Sequence, residues 1–94
     1  MNSQEHISQV CESVKKVLLE KNLRYGDLAL NPMEVFTKHL GEDKAENLIL
    51  TRLDDKLSRI KNSNELRKND VFDLIGYLTL LSVKKDWDFS DLID

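Results

Sequence analysis

Ninety-four residues, 40% of them apolar and 33% charged, suffice for one small helical domain and are too apolar for a disordered chain. A chain of this size buries only about 60–65% of its unfolded surface, so it can build little more than one apolar layer between helices. With 14 basic and 17 acidic residues and a net charge of −3, it lacks the basic surplus that non-specific nucleic-acid binding requires.

The chain opens on "MNSQEHISQV", which has neither the basic start nor the apolar stretch of a secretory signal. Ile7, Val10, Val14, Val17 and Leu18 then recur at helical spacing and predict an amphipathic helix over residues 4–22. Cys11 lies near its apolar face and reads as a core filler. It is the only cysteine, so no intrachain disulfide forms, which favours a reducing compartment. Asn22, Gly26 and Asp27 supply a turn, and Asn31-Pro32-Met33-Glu34 has the cap, first-turn proline and acid of a helix start. The short helix that follows carries Val35, Phe36 and Leu40 and stops at Gly41.

A longer helix is expected over 43–61, with Ile49, Leu50, Leu53, Leu57 and Ile60 on one face. A polar loop, "KNSNELRKN", leads to Asn69 as the cap of a last helix over 70–85. Val71, Leu74, Ile75, Leu78, Leu81 and Val83 leave that helix few polar positions, so it should be central or be covered by a second subunit. Its apolar run is interrupted by Gly76 and Thr79 and is too short to span a membrane. The tail, residues 86–94, alternates acids with Trp87, Phe89, Leu92 and Ile93. It is expected to fold back on its own core or to pack on a partner. With no hairpin signal and no internal repeat, the chain reads as a single all-α domain over residues 1–94: three longer helices plus one short one, a cytoplasmic protein.

The residues with chemistry lie in the last two helices. In "RLDDKLSRI", at 100° per residue, Lys56 falls at the edge of the stripe made by Ile49, Leu53, Leu57 and Ile60. Arg52 and Arg59 lie further round the same flank with Asp55, and Asp54 is on the solvated side. Such a strip is either a border whose stems cover apolar surface or a cationic site. Asp73 stands in an apolar surround and needs a cationic or hydrogen-bonding partner. Lys56 and Arg59 are within reach if the two helices are antiparallel. Asp70 reads equally as a first-turn acid favoured by the helix dipole and as a site residue. His6 and His39 are not at metal-ligand spacing. Tyr25 and Tyr77 suit either packing or stacking on a base.

Tyr25-Gly26, then Lys56-Leu57-Ser58-Arg59, then Asp73-Leu74-Ile75-Gly76-Tyr77, in that order over residues 14–83, resembles a group of small phage-encoded helical proteins. More distantly, the last two helices are similar to the MazG-type all-α nucleoside triphosphate pyrophosphatases. In that superfamily a Glu-x-x-Glu motif and a Glu-x-x-Asp motif hold magnesium, which holds the nucleotide phosphates. Asp70-Val71-Phe72-Asp73 matches the second motif with Asp for Glu, but Lys56 and Arg59 stand where the first needs acids. Cations there remove metal ligands and suit direct contact with phosphate.

Three functions follow from these residues. The first is binding of a nucleotide or nucleotide-derived signal, without metal, by Lys56, Arg59, Arg52 and Arg24. Tyr25 and Tyr77 would be walls and Asp73 an orienting group, in a site between subunits of a homo-oligomer. For a phage protein, this would suit sequestration of a host immune nucleotide. The second is a Mg2+-dependent pyrophosphohydrolase with Asp55, Asp70 and Asp73 as ligands. The third is a protein–protein interaction module in which Lys56, Arg59, Asp70 and Asp73 form an internal salt-bridge network and the tail makes the contact that matters.

Overall fold

A computed structural model describes residues 1–25 and 44–93 of the chain. The described residues form three α-helices, α1 (Ser3–Tyr25), α2 (Lys44–Lys61) and α3 (Lys68–Lys84), followed by a 3-10 turn at Ser90–Leu92. They contain no strand, so the expected all-α class is observed among them. The expected short helix after Asn31 falls outside the described residues, as does the turn at Gly26 and Asp27.

α1 runs one residue earlier and three later than its apolar periodicity predicts. Asn2 explains the early start: its Oδ1 accepts the Glu5 backbone N–H at 2.8 Å, and its side-chain amide donates to Glu5 Oε1 at 3.3 Å. The first bond satisfies one of the backbone amides that the first turn leaves unpaired, and the second ties the two side chains together across three residues. At the other end an Arg24–Glu20 pair at 3.0 Å, spaced i, i+4, supports the last turn.

α2 and α3 form an antiparallel hairpin around the turn at residues 62–67. Two ion pairs fix the direction: Glu46, at the start of α2, meets Lys85 just beyond α3 at 3.0 Å, and Lys56, late in α2, meets Asp70 in the first turn of α3. In the turn, Ser63 Oγ donates to the Glu65 carbonyl at 2.7 Å and accepts the Glu65 N–H at 3.2 Å. α3 starts at Lys68, two residues before the expected start at Asp70. Arg67, in extended conformation, precedes the helix, and its carbonyl accepts the N–H groups of Asp70 and Val71. Asn69 is therefore inside the helix rather than its cap.

α3 is the central helix, as its apolar composition predicts. It packs on α2 along one flank and on α1 along another. α1 also runs antiparallel to it, since Leu18 meets Gly76 while Lys21, further along α1, lies over the Phe72 ring at 4.9 Å. The closest approach is at Gly76, where a Cβ would sit 3.1 Å from Leu18 Cδ2.

Ala45 and Ile49 of α2 are the fully buried apolar side chains among the described residues. Leu53 and Ile60 are half-buried, while Leu57 is 53% exposed and so lies outside the stripe to which its spacing assigns it. Position 56 takes its place, so the inward stripe reads Ala45, Ile49, Leu53, Lys56, Ile60. Two other expectations change. Cys11 is exposed, not core. The tail does not fold back into a core: Trp87, Phe89, Leu92 and Ile93 are 58%, 57%, 70% and 82% exposed.

Candidate functional site

The helical hairpin brings three of the singled-out residues together. The Lys56 ammonium lies 3.1 Å from Asp70 Oδ1 and 3.0 Å from Asp73 Oδ2, and Arg67 Nε lies 3.4 Å from Asp70 Oδ2. Asp70 and Asp73 are one turn apart on α3, so both carboxylates face the same point on α2. The Asp70 and Lys56 side chains are only 4% and 13% exposed, whereas Asp73 is 31% exposed. A buried ammonium is tolerated when its donors are matched, and two of its three protons here meet carboxylates.

Each charge holds the other. The Lys56 pKa is raised, chiefly by its hydrogen bond to Asp73 and next by that to Asp70. The Asp70 pKa is lowered, chiefly by the hydrogen bond from Lys56, against the opposing effect of burial. Two cations, Lys56 and Arg67, thus face two anions, Asp70 and Asp73, and the cluster is neutral.

The other residues of the expected ligand site are elsewhere. Arg59 is exposed and makes no ion pair among the described residues, so it is not the partner of Asp73. The Arg52 guanidinium lies over the Tyr77 ring at 6.0 Å, which makes Tyr77 a packing surface between α2 and α3. Arg24 is engaged with Glu20 on the outside of α1. The Tyr25 side chain is outside what the structure describes. Asp55 is exposed, and no group of three acids, histidines or cysteines with metal-site geometry occurs among the described residues. The Asp55, Asp70 and Asp73 ligand set is therefore not assembled. Asp55 leaves α2 on a different side from Lys56, 100° away.

Arg67 is the member that sequence reasoning missed. Its spacing of three residues before Asp70 was the available signal, hidden because the segment reads as a polar loop. A separate open depression of about 450 Å3 on the N-terminal half of α1 is lined by Ser3, His6, Ile7, Val10 and Cys11. It shares no residue with the Lys56 cluster.

Comparison of the chain with protein-family models, with curated proteins and with solved structures finds no match. Function therefore rests on the geometry of this chain. A phosphate entering beside Lys56 would meet two carboxylates already on the ammonium, and like charges at that distance repel. A divalent cation would meet the ammonium itself. As arranged, the cluster joins α2 to α3.

Proposed function

We propose that the protein is a non-enzymatic helical interaction module, in which Lys56, Asp70, Asp73 and Arg67 lock the α2–α3 hairpin and the apolar surface left outside it engages a protein partner. The observation that carries this reading is the closure of Lys56 onto Asp70 and Asp73 at 3.1 and 3.0 Å. The cation best placed for a ligand is already spent on the fold, while large apolar side chains of α3 and the tail face outward. Single exposed apolar residues are ordinary, but a contiguous set marks an interaction surface.

The nucleotide-sequestering reading, and with it the phage counter-defence role, asks for Lys56 open to a phosphate. The MazG-type reading asks for Asp55 beside Asp70 and Asp73. Neither has that support.

Thermal unfolding with and without nucleotides separates the three. The interaction-module reading predicts no rise in Tm with nucleoside mono-, di- or triphosphates, in Mg2+ or in chelator, because a ligand that binds only the folded state must raise it. It also predicts that Lys56→Met lowers Tm by stranding two carboxylates, and that adding Asp70→Asn and Asp73→Asn recovers much of the loss. Breaking a buried pair is costly, whereas replacing the whole of it is often near neutral. A nucleotide-dependent rise in Tm that disappears in Lys56→Met would overturn the reading in favour of a phosphate site. Mg2+-dependent release of pyrophosphate would overturn it in favour of the hydrolase.

A further inference from the structure

α3 meets α2 through Asp70, Asp73 and Tyr77, and meets α1 through Phe72 and Gly76. At 100° per residue these account for two sectors of the helix. The third carries Val71, Ile75 and Leu78, which are 37%, 37% and 52% exposed. Their i, i+4, i+7 spacing is that of a helix-pairing seam.

The two ends of this seam differ in charge. Before it, on either side of the α2–α3 turn, Lys61 and Lys68 are exposed, and Leu57 and Leu66 are 53% and 66% exposed. After it, the tail presents Asp86, Asp88 and Asp91, with Trp87, Phe89, Leu92 and Ile93 exposed. One end is basic and apolar, and the other is acidic and apolar.

We propose that a second copy of this chain covers the seam, with the two α3 helices antiparallel and crossing near Ile75. The proposal rests on the interaction-module reading and names its partner. In a register centred on Ile75, Ser82 lies across from Lys68, and the chain that leaves α3 at Asp86 arrives beside Asn64 in the turn of the second copy. The tail acids then reach Lys61 and Lys68, and the tail aromatics reach Leu57 and Leu66. Lys84 lies across from Leu66, next to Glu65, the acid of that turn. The two-fold axis repeats each contact, so the interface is self-complementary and closed. Parallel pairing would instead set basic turn on basic turn and acidic tail on acidic tail.

Sedimentation velocity on the full-length chain tests this, with emission from Trp87, the only tryptophan, as a second readout. The expected result is a dimer that weakens with added salt, with emission shifting to the blue as it forms. Leu78→Glu should raise the dissociation constant by about tenfold or more, the effect of losing a central apolar contact. Far-ultraviolet circular dichroism would show that its helices persist.

A charge exchange guards against a variant that simply unfolds. Lys61→Glu/Lys68→Glu and Asp88→Lys/Asp91→Lys should each dimerise poorly alone and pair with one another when mixed. A monomer at every concentration would overturn the proposal and leave a different protein as the occupant of the seam. It would leave the interaction-module reading standing, since that reading fails on nucleotide binding instead. A dimer indifferent to Leu78→Glu and to the charge exchange would also overturn it.

Discussion

At the scale of single residues, Lys56 and Asp70 set how stability depends on pH. Asp70 has its pKa lowered from 3.8 by the hydrogen bond from Lys56, so its stabilising contribution is complete above 3.8 and is lost as pH falls through the lower folded-state value. Lys56 has its pKa raised from 10.5 by Asp73 and then Asp70, so its contribution is complete below 10.5 and is lost as pH rises through the higher folded-state value. Between those limits the cluster contributes a plateau. Asp70→Asn is expected to lower Tm at about pH 7 and to flatten the fall in Tm between about pH 4 and pH 2. Thermal melts of both proteins across that range check this, and equal acid slopes would assign the slope to other carboxylates. That Asp73 needs a cation was legible from its apolar surround. The deeper burial of Asp70 was not, because a first-turn acid is stable at a helix start without any partner.

At the scale of elements, helix ends followed local hydrogen bonds more than periodicity. α3 closes in a double-bonded C-terminal motif: the Asp86 N–H donates to the Val83 carbonyl at 3.0 Å and the Trp87 N–H to the Ser82 carbonyl at 2.9 Å. The motif needs a left-handed residue, and Asp86 supplies it with φ 58. Glycine takes that conformation without the steric cost that a Cβ brings, and a negative side chain there also opposes the helix dipole. Asp86→Gly should therefore stabilise the protein by about 1 kcal/mol, measured by urea unfolding, with unchanged helix content. Beyond the motif, Asp88 Oδ1 accepts the Ser90 N–H at 2.7 Å and the Ser90 hydroxyl, and these bonds hold its pKa below 3.8. They shape the tail into a turn before Ser90–Leu92. Sequence placed the end of α3 within one residue but missed its start by two, because Asn69 is a good cap in composition and an interior residue in fact.

At the scale of the whole molecule, α1 approaches α3 most closely at one glycine. Gly76 is buried, and a Cβ there would lie 3.1 Å from Leu18 Cδ2. Alanine gains about 1 kcal/mol of helix propensity over glycine. The atom in the way is the tip of a half-buried leucine, which has room to yield by a few tenths of an ångström. Gly76→Ala is therefore expected to lie within about 1 kcal/mol of the parent. Gly76→Leu cannot be absorbed in this way and should cost about 1–3 kcal/mol or more by forcing α1 away. Paired denaturant melts decide it. A cost for alanine as large as that for leucine would mean the backbones themselves touch.

The all-α class, the amphipathic course of α1 and α2 and the central position of α3 were determined by the sequence itself, because each follows from where apolar residues recur along one chain. The need of Asp73 for a cation was determined there too. Tertiary structure decided which way α2 faces. Periodicity places Leu57 inward and Lys56 at the edge, since apolar side chains prefer burial. Yet Asp70 and Asp73 descend together on α3 and draw the Lys56 ammonium between helices, leaving Leu57 outside. A one-dimensional pattern cannot register that exchange, because the charges that make Lys56 a core residue lie on another helix.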